Sequence, residues 1–226
     1  MDSVLPFLQD LRKHNDRAWF EANRARYTSA QVAFNRMVEQ LIPAIASFDG
    51  RVRNLTAAQC TYRIYRDLRF SPDKTPYKTH FGAYICPGGK NSGYAGYYFH
   101  LEPSDSNRMG NSLIACGLYC PDKIVLQSVR EEITDNGAAF EASVRQAEAH
   151  GFVWDGQPPL KKIPQGFPAD TPYGDYLKRK DFCLFMPIPG HLRDTRQLLD
   201  FCLDGFRSAE PFNSILNRAV AYAYEP

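Results

Sequence analysis

The sequence predicts an α+β fold in a single domain spanning residues 1–226, a mainly antiparallel strand meander packed with N-terminal and C-terminal helices. Three observations carry that reading. Helical apolar periodicity fills residues 3–48, strand-like runs fill 61–119, and helical patterns return after 121. The blocks run helices, strands, helices, without regular βαβ alternation. The links between successive strand-like runs are short and turn-rich, as an antiparallel meander requires.

Residues 3–13 read as a short helix with Val4, Leu8 and Leu11 on one stripe. Asn15 or Asp16 offers an N-cap to a long second helix, in which Phe20, Tyr27, Phe34, Leu41 and Phe48 recur every seven residues. That stripe is the face of a helix packed on a sheet or another helix, and Pro43 should bend or end it near its last turn. Residues 61–66, 80–86, 96–102 and 113–119 are rich in aromatic or β-branched residues and read as consecutive strands. Residues 87–93 join two of them as a hairpin turn and lack the G-x-x-x-x-G-K-[ST] spacing of a phosphate loop. Pro121 suits the first turn of a helix reaching about Thr134, and Asp135 or Asn136 can cap another from Gly137 to about His150. Residues 153–180 are irregular and rich in Pro and Gly, the composition of a lid or binding loop. A last strand over 181–187 and two closing helices near 190–204 and 209–222 complete the chain, with no repeat or linker to divide it.

Composition narrows the function classes. The 226 residues are 44% hydrophobic, with 15 Phe and 13 Tyr, enough to build a core without staples. A net charge of +2 argues against wholesale coating of nucleic acid, although residues 61–80 carry five Lys/Arg against two Asp. Residues 161–180 show the same surplus of five against two. No run of 18 apolar residues is present, so no membrane span is expected, and the first residues lack the basic start and apolar stretch of a secretory signal. Cys60, Cys86, Cys116, Cys120, Cys183 and Cys202 form no C-x-x-C pair and no zinc-like spacing. They read as reduced thiols of a cytoplasmic protein that needs neither metal nor cofactor. Nothing in the sequence sets the oligomeric state.

The densest chemistry lies in residues 66–78, RDLRFSPDKTPYK, with four cations, two carboxylates, two aromatics and two prolines that stiffen the loop. Alternation over 61–67 would bring Arg66 out of the face shared by Tyr62 and Ile64. A guanidinium there needs a partner, because an unpaired buried charge is strongly destabilising. That partner is either a carboxylate of the fold, Glu102 or Asp73, or a phosphate or carboxylate of a ligand gripped bidentately. His100 and Glu102 stand two apart on one strand face, the arrangement of either a general acid/base or a core histidine satisfied by a carboxylate. His80 could join the same face, and Trp19 reads as a core anchor.

These segments, in this order, resemble the bacterial and fungal family known as domain of unknown function 2461. The resemblance begins with His14-Asn15-Asp16-Arg17-Ala18-Trp19-Phe20-Glu21-Ala22-Asn23 and continues through residues 66–78. It then takes in residues 96–103, Gly117-Leu118-Tyr119, Val129-Arg130, residues 164–168 and Leu177-Lys178-Arg179-Lys180. It implies kinship and supplies no chemistry.

Three functions are therefore expected as alternatives. In the first, the protein is a binding module for an anionic small molecule or nucleic acid, held by Arg66, Arg69, Lys74 and Lys78. Tyr62, Tyr77 or Tyr97 would flank that ligand, and Glu102 would lie among the binding residues. In the second, it is a hydrolase-like enzyme acting on a phosphate ester or acyl group, with His100 and Asp67 as acid and base. In the third, it is a structural or interaction domain whose charged loop is an ion-pair latch.

Overall fold

Five antiparallel strands pair in the spatial order β1-β2-β3-β5-β4: β1 (Phe81–Ile85), β2 (Gly96–Leu101), β3 (Leu113–Leu118), β4 (Val153–Trp154) and β5 (Phe182–Pro187). This is a computed structural model, and it describes residues 3–104, 109–192 and 194–224. Met1, Asp2 and Arg193, which fall in segments read above, lie outside the described residues. The meander expected from the sequence is β1-β2-β3, with Tyr84 opposite Tyr98 and His100 opposite Leu113. β5 returns to pair with β3, and β4 adds to the outer edge of β5. β4 is only two residues long, too short to show a strand period, and so its segment read as irregular.

Seven helices accompany the sheet among the described residues: α1 (Val4–Lys13), α2 (Arg17–Ala22), α3 (Arg24–Ala46), α4 (Ala57–Cys60), α5 (Lys123–Ala149), α6 (Gly174–Leu177) and α7 (Thr195–Ala223). The fold is thus α+β, as predicted, but several helix boundaries differ. The long second helix breaks at Asn23, whose φ of −109° and ψ of 16° separate α2 from α3. Pro43 is tolerated, and α3 runs on to Ala46. Pro121 precedes the helix instead of entering it, because Asp122 is the N-cap and accepts from Ile124 N–H and Val125 N–H at 2.9 Å each. The two helices expected over 121–150 are one kinked helix, α5, with Asn136 (φ −126°, ψ 31°) at the kink. The closing pair is likewise one helix, α7, continuous through Pro211. A mid-helix proline costs about 3 kcal/mol, and burial of Phe206, Phe212 and Leu216 on either side, at roughly 2 kcal/mol each, offsets it.

Period-2 alternation gives the sheet two unlike faces. Phe81, Phe99, Ile114, Leu184 and Met186 are buried on the helix side, where Phe99 stacks on Phe34 of α3 at 5.5 Å. Tyr97 meets Phe206 of α7 edge-on at 5.3 Å and donates to Asp49 at 3.0 Å. Two amides of α7 hold the start of β2: Asn217 bonds both the N–H and the C=O of Ala95, and Asn213 donates to Gly96 O at 3.0 Å. The opposite face carries Tyr84, Tyr98, Ala115, Cys183 and Phe185, all half-buried. Gly117 permits the close β3–β5 approach: its φ is +105°, and a Cβ there would lie 1.8 Å from Phe182 O.

The expected strand over 61–66 is absent. Tyr62 N–H donates to Gly82 O at 3.0 Å, but the chain then leaves the edge of β1 and pairs with its own return. Arg66 N–H donates to Pro76 O at 3.0 Å and Lys78 N–H to Ile64 O at 2.7 Å. Ile64 is consequently buried while Tyr62 is exposed, so the single shared face expected for them does not exist. The 87–93 turn docks on α4, with Lys90 Nζ donating to Ala58 O at 2.9 Å, and serves as a hairpin.

Candidate functional site

Arg66 is bound inside its own loop. Its Nη1 donates to the Asp73 carboxylate, to Thr75 Oγ1 and, at 3.2 Å, to Thr75 O, while Nη2 donates to Ser71 Oγ at 3.1 Å. Asp73 also accepts from Thr75 N–H at 2.9 Å. That backbone donor, then Arg66 and the Thr75 hydroxyl, hold the Asp73 carboxyl at about 2. Of the two carboxylate partners open to Arg66 from sequence, Asp73 is the one used, and Glu102 is elsewhere.

Arg69 forks onto Asp67, with Nε to Oδ1 at 3.0 Å and Nη2 to Oδ2 at 2.6 Å. The Arg69 guanidinium is the main reason that the Asp67 carboxyl sits at about 2. Both Asp67 oxygens are engaged by that guanidinium, the geometry of a bidentate ion pair. Lys74 Nζ donates to Leu68 O at 3.1 Å, and Lys78 Nζ donates to Arg63 O at 3.0 Å while lying 5.5 Å from the Tyr62 ring.

The segments around residues 15 and 77 lock together. Tyr77 N–H donates to Asn15 Oδ1 at 3.1 Å, and Asn15 Nδ2 donates to Tyr77 O at 2.9 Å. The Tyr77 ring stacks on Phe20 with centroids 3.9 Å apart and is only 4% exposed. Tyr77 therefore anchors the loop instead of flanking a ligand, and Tyr97 is buried behind the sheet. Between the two segments lies an open cleft of about 570 Å³, lined among others by Asn15, Arg17, Leu68, Asp73, Lys74 and Thr75. Arg17 and Lys74 are its exposed cations. Arg17 follows the Asp16 cap and carried no signal of its own in the sequence; only the fold brings it to Lys74.

His100 and Glu102 do not line this cleft. Each is 1% exposed, on the side of β2 facing away from the helices. His100 Nε2 lies 3.1 Å from Glu102 Oε2, and its Nδ1 lies 3.0 Å from Tyr98 Oη. Glu102 Oε2 also accepts from Met109 N–H at 3.1 Å. The His80 ring stacks on His100 at 4.7 Å. Tyr98 was overlooked, although residues 98, 100 and 102 alternate onto one face of the predicted strand. The residues singled out from sequence thus divide between two places.

Fold and site together define an α+β domain with one five-stranded antiparallel sheet and a charged loop clamped by an N-terminal asparagine. The family described as "Conserved hypothetical protein (DUF2461)" matches residues 3–214, and the chain belongs to it. No curated protein and no solved structure is similar enough to match. Further matching segments meet in space: Arg130 donates to Leu177 O at 2.9 Å and to Arg179 O at 3.0 Å, closing the end of α6.

Proposed function

We propose that this protein is a binding module for an anionic ligand, a phosphate- or carboxylate-bearing small molecule such as a nucleotide, or a nucleic-acid strand. The ligand is held at the cleft beside residues 66–78. The observation that carries this reading is the pair of exposed cations, Arg17 and Lys74, on the rim of an open cleft whose walls are independently braced. Arg66 acts as a brace because Asp73, Thr75 and Ser71 engage its Nη1 and Nη2, and Arg69 is likewise paired with Asp67. Preorganised walls lower the ordering cost of binding. A cytoplasmic setting goes with this reading, supported by six free cysteines.

The pairing of Arg66 within its own loop also favours a second reading, in which the loop is only a latch. Thermal-shift measurements with pyrophosphate, a nucleoside triphosphate and a short single-stranded DNA separate the two. Binding predicts stabilisation by at least one probe, weakened by salt and by Lys74→Ala. A latch predicts that Arg66→Ala lowers the melting temperature while no probe raises that of the wild type.

A further inference from the structure

We propose that Tyr98 is the reactive group of a second site, on the face of the sheet turned away from α3 and α7, which takes an acyl group from an activated ester. This site is separate from the cleft and does not depend on it. The side chains at 98, 100 and 102 form a hydrogen-bonded line, Tyr98 Oη to His100 Nδ1 at 3.0 Å and His100 Nε2 to Glu102 Oε2 at 3.1 Å. An ionised carboxylate only accepts, so Nε2 carries the imidazole proton and Nδ1 is left as the acceptor. The phenol of Tyr98 therefore donates to a base that a buried carboxylate orients, the relation that activates a nucleophile in triads of any fold.

The surroundings favour this role. The His80 ring fixes the plane of His100. Tyr98 lies down over Gly82, where a Cβ would stand 2.6 Å from its hydroxyl, so the absent side chain lets the hydroxyl reach His100. Tyr84, opposite Tyr98 on β1, differs in kind: its hydroxyl is committed to Gly117 O at 2.7 Å and Tyr94 O at 2.9 Å, neither of which can take a proton. His100 is 1% exposed and cannot itself meet a substrate, whereas Tyr98 is half-buried.

In the step itself, Tyr98 Oη attacks the carbonyl carbon as its proton passes to His100 Nδ1. The tetrahedral adduct expels the alkoxide or phenoxide, which takes that proton and leaves as the alcohol. Water then cleaves the O-acyl tyrosine to release the carboxylic acid and restore the phenol. Tyr98 is the catalytic residue, and His100 and Glu102 position and deprotonate it.

The test uses the full chain and p-nitrophenyl acetate, with the acetylated tyrosines located by peptide mass. In the wild type, Tyr98 should be acetylated faster than Tyr119 and Tyr222, which are 73% and 66% exposed. Tyr98→Phe should abolish the fast phase of nitrophenol release. His100→Gln should slow it roughly a hundredfold, with the half-saturating ester concentration unchanged and Tyr119 labelled as before. Tyr98 labelling no faster than Tyr119 in the wild type overturns the proposal without needing any variant to fold. A fast phase that survives His100→Gln in a folded protein also overturns it.

Discussion

Asn15 and Tyr77, 62 positions apart, are joined by two hydrogen bonds in which the side-chain amide of one pairs with both backbone groups of the other. The amide behaves as a one-residue strand and satisfies backbone groups that the departing chain leaves without a sheet partner. Asn15→Ala should destabilise the protein by about 1–3 kcal/mol, since it strands a buried donor and acceptor. Denaturant unfolding measures this, and Asn15→Asp, which keeps only the acceptor, should recover part of the loss.

Arg66 and Asp73 are coupled more than an ordinary surface pair because Thr75 and Ser71 share the network. A double-mutant cycle on Arg66→Ala and Asp73→Ala should show clear non-additivity, the double variant losing less than the sum of the two single losses. Limited proteolysis should cut residues 66–78 faster in either single variant. Strict additivity would place Arg66 outside the network.

The acid response has a definite sign. The carboxyls of Asp67 and Asp73 are depressed from 3.8 to about 2 in the fold, so the stability they contribute is complete above about 4 and is lost as pH falls through about 2. Proteolytic susceptibility of the loop, followed with an acid-active protease, should rise across that window. A flat response from pH 4 to pH 2 would show that neither ion pair holds the loop.

The thiols should differ sharply in reactivity. Burial pushes Cys60 and Cys86 up to about 11, whereas Cys120 is exposed. A single fast equivalent with a thiol-exchange reagent, removed by Cys120→Ser, is the expected result.

Much of the fold was legible because its signals are local. Aromatic content marks β2, the α1 stripe is regular, and Asp16 caps its helix, accepting from Trp19 N–H at 2.9 Å. What escaped depends on contacts far apart in sequence. Residues 190–222 read as two helices until the buried side chains that hold them as one are known, and residues 61–66 read as a strand until the chain is seen to pair with 76–78. The sites divide in the same way. The density of charge in the loop was plain, but the exchange of Arg66 from ligand clamp to brace required the Asp73 geometry. Arg17 joins Lys74 only through the Asn15–Tyr77 lock.

The central claim, that the cleft binds an anion through Arg17 and Lys74, is tested most directly by titration calorimetry with pyrophosphate. The experiment compares wild type with the Arg17→Ala, Lys74→Ala double variant at two salt concentrations. The account predicts saturable wild-type binding that weakens as salt rises and disappears in a double variant that still unfolds cooperatively. Undiminished binding by that variant, or no heat from the wild type at low salt, would contradict it.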